Sequence, residues 1–201
     1  MKILLIRHGE SEADLLDVHE GRANFSLTSL GNMQAKQMSM WVNKRFKPDL
    51  IWTSTLNRAK ETAKILSEVT GTLIREEEGL KEFNNGVLAG MKRLDAKLKY
   101  PEPIGGRKPH EQIKGGESEL EFRFRAEMTF SKILTESEGM ECIVIVSHGG
   151  MISNLLKSFL RLPIPSESRF FTGDTGIHFL HKEGNKTSIV FLNNQEHLQE
   201  K

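Results

Sequence analysis

Two short, unbroken apolar runs in this chain stop at a histidine. Ile3-Leu4-Leu5-Ile6 leads into Arg7-His8-Gly9, and Cys142-Ile143-Val144-Ile145-Val146 leads into Ser147-His148-Gly149-Gly150. A continuous run rich in Val and Ile, stopped by glycine and followed by helical periodicity, is the pattern of a strand covered on both faces of a parallel sheet. Each histidine then sits just beyond the carboxyl end of its strand, the edge of an open α/β sheet where ligands bind. One such histidine serves equally well for packing or capping. Two of them, one preceded by arginine, point to a site.

Elsewhere the period changes. Thr28 is placed as an N-cap, and Leu30, Met33, Met38, Trp41, Val42 and Phe46 fall on one helical face, which assigns them to the core. Lys47-Pro48-Asp49 ends that helix, and Leu50-Ile51-Trp52 reads as a second short strand. Thr53-Ser54-Thr55 caps a helix from about Leu56 to Val69 that buries Ala59, Ala63, Leu66 and Val69 and sets Arg58 in its first turn. Gly71-Thr72-Leu73-Ile74 leads to a further strand. Ser118 and Glu121 form a capping box for a helix with Leu120, Phe124, Met128 and Leu134 on its inner side. Met151 to Leu160 reads as the helix after the second buried strand. Ile177 to Leu180, a turn at Glu183-Gly184-Asn185 and Ser188 to Leu192 read as a terminal hairpin.

Strands alternating with helices predict a mainly parallel sheet covered on both faces, in one domain spanning 1–201. The pattern breaks from Lys81 to Gly116, where Gly86, Gly90, Pro101, Pro103, Gly105, Gly106 and Pro109 crowd together. Long excursions of this kind inside a domain are lids or binding loops. Residues 83–116 are therefore expected to form a lid over the site.

Composition narrows the setting. At 201 residues and 37% hydrophobic content the chain can bury a sizeable core without staples. The formal net charge is +1 with both signs interspersed, which argues against nucleic acid or an anionic membrane as the main partner. Met1-Lys2 followed directly by a strand does not resemble a signal peptide, and no apolar stretch is long enough to span a bilayer. The single cysteine, Cys142, lies inside an apolar run and has no intramolecular partner, so a reducing cytoplasm is the expected location. Oligomeric state leaves no mark in the sequence.

Two imidazoles and the guanidiniums of Arg7 and Arg58 make a cluster that is costly unless an anion fills it, because like charges share a partly desolvated space. A phosphate dianion is the obvious filling: arginine's fork matches its oxygens two at a time, and free N–H groups at the start of the Arg58 helix would add donors. Arg58 in a first turn opposes the helix dipole, a misfit that an anion-binding role explains. Phosphate binding alone does not need two histidines. A neutral imidazole is a good nucleophile near pH 7, and attack on phosphorus splits one displacement into two through a phosphohistidine. The leaving alkoxide then needs a proton. Glu82, in Leu80-Lys81-Glu82-Phe83 at the start of the irregular segment, is the candidate donor.

These residues resemble the histidine phosphatase superfamily, in the branch related to phosphoglycerate mutases. The matching pieces are Arg7-His8-Gly9-Glu10-Ser11, Gly21-Arg22 with Leu27-Thr28-Ser29-Leu30-Gly31 and Gln34-Ala35, Thr53-Ser54 with Arg58-Ala59 and Glu61-Thr62-Ala63, Leu80 with Glu82 and Gly86, Gly115-Gly116-Glu117-Ser118, and Val146-Ser147-His148-Gly149-Gly150. They run over almost the whole chain, and the first and last are the specific ones. The resemblance implies a three-layer α/β/α sandwich, with His8 as the phosphorylated nucleophile, Arg7, Arg58 and His148 holding the phosphoryl group, and Glu82 giving the proton. Ser11, Arg22, Asn24 and Gly149 join the phosphate- and substrate-binding set on the same basis. No metal and no other cofactor is implied.

Two positions depart from the usual pattern: Asp14 stands where asparagine is common, and Asn24 where aspartate often follows Gly-Arg. Asp14, if it faces the pocket, weakens phosphate binding or favours a substrate with a basic or hydroxyl-rich part. Competing motifs fail. His110-Glu111-Gln112-Ile113-Lys114 has lysine where a zinc-protease helix requires its second histidine. His19, His178, His181 and His197 have no partner at ligand spacing and read as structural or solvent-facing. The basic residues Lys92, Arg93, Lys97, Lys99, Arg107, Lys108 and Lys114 of the expected lid read as a solvated face that can attract an anionic substrate. Three functions remain: a phosphatase acting on a small phosphomonoester, a phosphoglycerate mutase using the same site, and a module that grips a phosphorylated ligand without turning it over.

Overall fold

Strand β1 (Lys2–Arg7) buries Ile3, Leu4, Leu5 and Ile6 completely, and successive side chains leave it in opposite directions. Ile3 and Leu5 enter one apolar core, Leu4 and Ile6 another. A computed structural model describes residues 1–184 and 186–199 and shows why both faces are covered. The sheet has six strands in the order β3-β2-β4-β1-β5-β6, where β2 is Leu50–Thr53, β3 Ile74–Glu76, β4 Cys142–Ser147, β5 Ile177–Glu183 and β6 Lys186–Asn194. The pairs β3-β2, β2-β4 and β4-β1 are parallel, whereas β1-β5 and β5-β6 are antiparallel.

Helices α2 (Ser29–Arg45) and α3 (Asn57–Thr70) cover one face, where Met38, Trp41, Val42, Ala59, Ala63 and Leu66 meet Leu4, Ile6, Ile51, Val144 and Val146. Helices α5 (Glu119–Glu136) and α6 (Gly149–Phe159) cover the other, where Phe122, Phe130, Ile133, Ile152 and Leu155 meet Ile3, Leu5, Trp52, Ile143 and Ile145. The protein is a three-layer α/β/α sandwich. Two short helices, α1 (Glu12–Leu16) and α4 (Arg93–Lys99), stand outside these layers.

The expected elements form, and three helical faces need correction. Leu30 and Met33 of α2 are exposed, because Gly31, Ala35 and Ser39 share the buried line with Met38 and Val42. Val69 is only half-buried. In α5, Phe124 and Met128 face solvent and Leu120 and Leu134 are half-buried, whereas Phe122, Arg123, Ala126, Thr129, Phe130 and Ile133 point inward. Arg123 reaches the buried line by donating to Asn154 O at 3.0 Å and Leu162 O at 3.3 Å. A polar side chain anchored in this way through its terminal nitrogens hides the face from a count of apolar residues. The capping box of Ser118 and Glu121 is present. In the hairpin turn, Asn185 lies outside the described residues.

Between Phe83 and Gly116 lie a 3-10 turn at Gly86–Leu88, α4 and extended loops. Part of this stretch folds back on the loop after α1, with Gly90 N donating to His19 O at 2.8 Å and Val18 bridging to Lys92.

Candidate active site

Strand register builds the centre of the site. Because β1 and β4 run parallel with Arg7 opposite Ser147, the next residues, His8 and His148, come to lie side by side. Their ring centroids are 5.1 Å apart and both side chains are fully buried. On the other side of β4, Thr53 pairs with Val146, which carries Ser54 to the same edge and its Oγ to 2.8 Å from His148 Nε2. Helix α3 follows and delivers Arg58, fully buried.

The loop after β1 is pinned by close backbone packing. A Cβ at Gly9 would lie 2.5 Å from Gly31 O, and one at Gly31 would lie 2.1 Å from Glu10 O, so both positions need glycine. Gly9 N donates to Thr62 Oγ1 at 3.2 Å and Glu10 N to Gln34 Oε1 at 2.8 Å.

His8 is held in one tautomer. Its Nδ1 lies 2.7 Å from Gly9 O, an atom that can only accept, so Nδ1 carries the proton. Nε2 keeps its lone pair and accepts from Arg58 Nε at 3.2 Å. Burial, then the charges of Arg58 and Arg7, hold the His8 pKa well below its usual value, so the ring is neutral at pH 7. His148 is held low in the same way, by burial first and then by Arg58. Among the described residues, buried His148 Nδ1 and Arg7 Nε have no hydrogen-bond partner. Arg7 Nη1 is fixed by Thr172 O at 3.0 Å and Asp174 Oδ1 at 3.3 Å. Arg58 is fixed more tightly, its Nη1 and Nη2 donating to Ala23 O and Gly21 O, each at 2.8 Å.

Glu82 arrives from the far side of β4. Leu80 is buried in the core and its carbonyl accepts from Ser147 Oγ at 2.8 Å, which anchors the chain just before Glu82. The Glu82 carboxylate then accepts from Gly150 N, on the first turn of α6, at 2.9 Å and from the N–H of its own neighbour Phe83 at 2.8 Å. A Cβ at Gly150 would lie 2.5 Å from Glu82 Oε1, so glycine there makes room for the carboxylate. Arg125 clamps the same segment by donating to Gly79 O, Lys81 O and Glu82 O at 2.7, 2.8 and 3.2 Å, with Glu117 as its counter-charge. Arg22 stands alongside, 3.4 Å from Glu82 O and 3.5 Å from Glu117.

The remaining expected residues divide. Ser11 is fully buried, and Gly149 opens α6 beside Arg7. Asn24 is exposed, and its Oδ1 accepts from Asn57 N at 2.7 Å, so it caps α3 and takes up one of the N–H groups expected to face an anion. Asp14 closes the capping box of α1 on Ser11, accepting from Ser11 N at 2.9 Å. His178 and His197 are buried and bonded to Thr172 and Thr175. Among the described residues, no group of three or more His, Cys, Asp or Glu side chains is arranged to hold a metal ion, and no helix is long and apolar enough to cross a membrane.

Sequence reasoning placed Gly150 in the second histidine motif without giving it a role, and missed Arg125 and above all Glu20. Glu20 Oε1 lies 3.1 Å from Arg58 Nε and within hydrogen-bond range of Ser11 Oγ, and its Oε2 lies 3.7 Å from His8 Nε2. The only available signal was a carboxylate directly before Gly21-Arg22.

Comparison with known proteins bears on what such an arrangement is for. Phosphoserine phosphatase 1 of Hydrogenobacter thermophilus is 26% identical over 203 residues, covering 100% of this chain and 95% of that protein. A 2,3-bisphosphoglycerate-dependent phosphoglycerate mutase of Cytophaga hutchinsonii is 29% identical over 160 residues, covering 77% and 75%. The crystal structure of the alpha-ribazole phosphatase from Shigella flexneri superimposes with a TM-score of 0.87 at 25% identity, covering 97% of each chain. The sequence profile that matches residues 3–195, and so takes in both strand-end histidines, is that of the histidine phosphatase superfamily (branch 1), and the chain belongs to that family.

Proposed function

We propose that this protein is a phosphomonoester hydrolase that works through a phosphohistidine on His8. The observation that carries this reading is the neutral His8 Nε2, with its lone pair exposed to a buried guanidinium and Glu82 lodged at the start of a neighbouring helix. In the first step Nε2 attacks phosphorus, the P–O ester bond breaks, and the leaving oxygen takes the proton of the Glu82 carboxyl. In the second, water attacks phosphorus, the P–N bond breaks, and Glu82 recovers the proton as phosphate departs. Arg7, Arg58 and His148 face the equatorial oxygens, where charge accumulates, and the orphaned Arg7 Nε and His148 Nδ1 supply donor positions there. Ser11, Arg22 and Gly149 line the approach, and residues 83–116 form its lid.

The substrate class that fits is a small phosphorylated metabolite, and the lone buried thiol of Cys142 suits a reducing cytoplasm. The phosphoglycerate mutase reading uses the same centre and draws support from the mutase relative. A pure binding module has no use for a nucleophile and a proton donor.

The test is a rapid quench into alkaline detergent, in which a phosphohistidine survives, during turnover of a panel of phosphomonoesters, with and without chelator. An acid-labile phosphoryl group on His8, absent from His8→Ala, together with free phosphate, supports the hydrolase. Conversion of 3-phosphoglycerate to its isomer in the presence of the bisphosphate primer, without phosphate release, favours the mutase. No phosphoryl-enzyme and no turnover would leave only binding.

A further inference from the structure

A cluster of two arginines and two histidines needs a counter-charge, and this chain carries one of its own. The Glu20 carboxylate forms an ion pair with Arg58, Oε1 lying 3.1 Å from Nε, accepts from the Ser11 hydroxyl, and stands 3.7 Å from His8 Nε2. Those are the same groups that a phosphoryl oxygen would use. A nucleophile poised roughly 3–3.5 Å from phosphorus brings the phosphoryl oxygens into the same shell around Nε2 that Glu20 Oε2 occupies. Two full anions cannot share that shell, because like charges repel strongly in a space walled off from water and Ser11 Oγ has a single proton to give.

We propose that Glu20 is an affinity-setting residue that competes with the phosphoryl group for Arg58 and Ser11, so that an anion docks only as the Glu20 carboxylate gives up its charge or its place. This rests on reading the pocket as a phosphoryl site. Glu20 is faced by His8 and Arg7 from the end of β1, by Ser11 and Asp14 from α1, and by Arg58 from α3. Burial raises its pKa, with Asp14 adding to the rise, while Arg58, Ser11 and Arg7 oppose it. Competition is therefore strongest at high pH, where Glu20 is charged, and relaxes as pH falls and the carboxyl takes a proton. The consequence for turnover is that the enzyme holds its product phosphate weakly at neutral pH. Selectivity then rests on what the organic part of the ester adds.

The inference is tested by calorimetric titration of sulfate, whose charge is constant from pH 5 to 8, into the full-length wild type and Glu20→Gln. The expected result is binding by Glu20→Gln tighter on the order of tenfold at pH 8, as the like charge is removed. The gap should close toward pH 5, while His8 and His148 act equally on both proteins. Equal or weaker binding by Glu20→Gln at pH 8 overturns the inference and leaves the phosphoryl site standing. Binding by neither protein overturns both. Glu20→Ala, checked for a native melting transition, gives the same readout should the glutamine variant fail to fold.

Discussion

Arg58 Nε donates to His8 Nε2 at 3.2 Å while both terminal nitrogens of the same guanidinium are held by the backbone carbonyls of Gly21 and Ala23. The loop before α2 thus aims a buried cation at the His8 nitrogen that carries the lone pair. Only a planar fork can bond three acceptors in these directions.

Arg58→Lys is accordingly not a conservative change. A single ammonium cannot hold Gly21 O and Ala23 O and still face the reacting phosphoryl group, so kcat is expected to fall by about 10² to 10³, the effect of losing one preorganised donor. Steady-state kinetics on the best phosphomonoester checks this. A lysine variant with near wild-type kcat would remove Arg58 from the chemistry.

Gly150→Ala separates catalysis from stability. Alanine in a helix is favoured over glycine by roughly 0.5–1 kcal/mol, yet its Cβ would press on Glu82 Oε1. The expected outcome is a melting temperature close to wild type, the helix gain offset by the loss of the Glu82 hydrogen bond, together with a lowered kcat. Unchanged kcat would mean that Glu82 can donate its proton from elsewhere.

The low pKa of His8 sets the acid side of the pH profile. A histidine depressed by burial and by Arg58 and Arg7 stays unprotonated as pH falls through 6.5. The loss of kcat/KM due to His8 protonation is therefore expected well below that value. A break in kcat/KM near 6.5, with nitrogen NMR showing His8 titrating there, would contradict it.

Stability should fall with acid for a related reason. Burial pushes His178 and His197 down to about 4, whereas both titrate near 6.5 once unfolded. Between those values the unfolded chain binds more protons than the native one, so unfolding free energy rises with pH. Their contribution is complete above pH 6.5 and is lost progressively as pH falls toward 4, each losing about 3 kcal/mol over the window. Urea denaturation at pH 7.5, 6 and 5 measures the slope. A flat profile would show that these imidazoles are not buried neutral in solution.

The order of strands and helices was legible because buried parallel strands and capped helices leave local marks: Ile3 to Ile6, Cys142 to Val146, Ser118 with Glu121. The inward face of α5 was not legible, because Arg123 and Thr129 are buried on it and Phe124 and Met128 are exposed. Hydrogen bonds to carbonyls that are distant in sequence made the arginine tolerable, and no local pattern reports them.

For the site, sequence alone determined the reactive inventory and its topological address: two histidines beyond strand ends, arginines next to one of them and at a helix start, and a glutamate entering an irregular segment. The parallel register of Arg7 with Ser147 decided that the histidines touch. The turn of the chain through His19-Glu20-Gly21 decided that a carboxylate lies among the cations, and the fold alone turned Asp14 and Asn24 into helix caps. Residue type and short-range period are properties of neighbouring positions and survive in the one-dimensional string. Which charges meet is settled by the packing of segments far apart in the chain, and by which polar groups those segments leave without a partner.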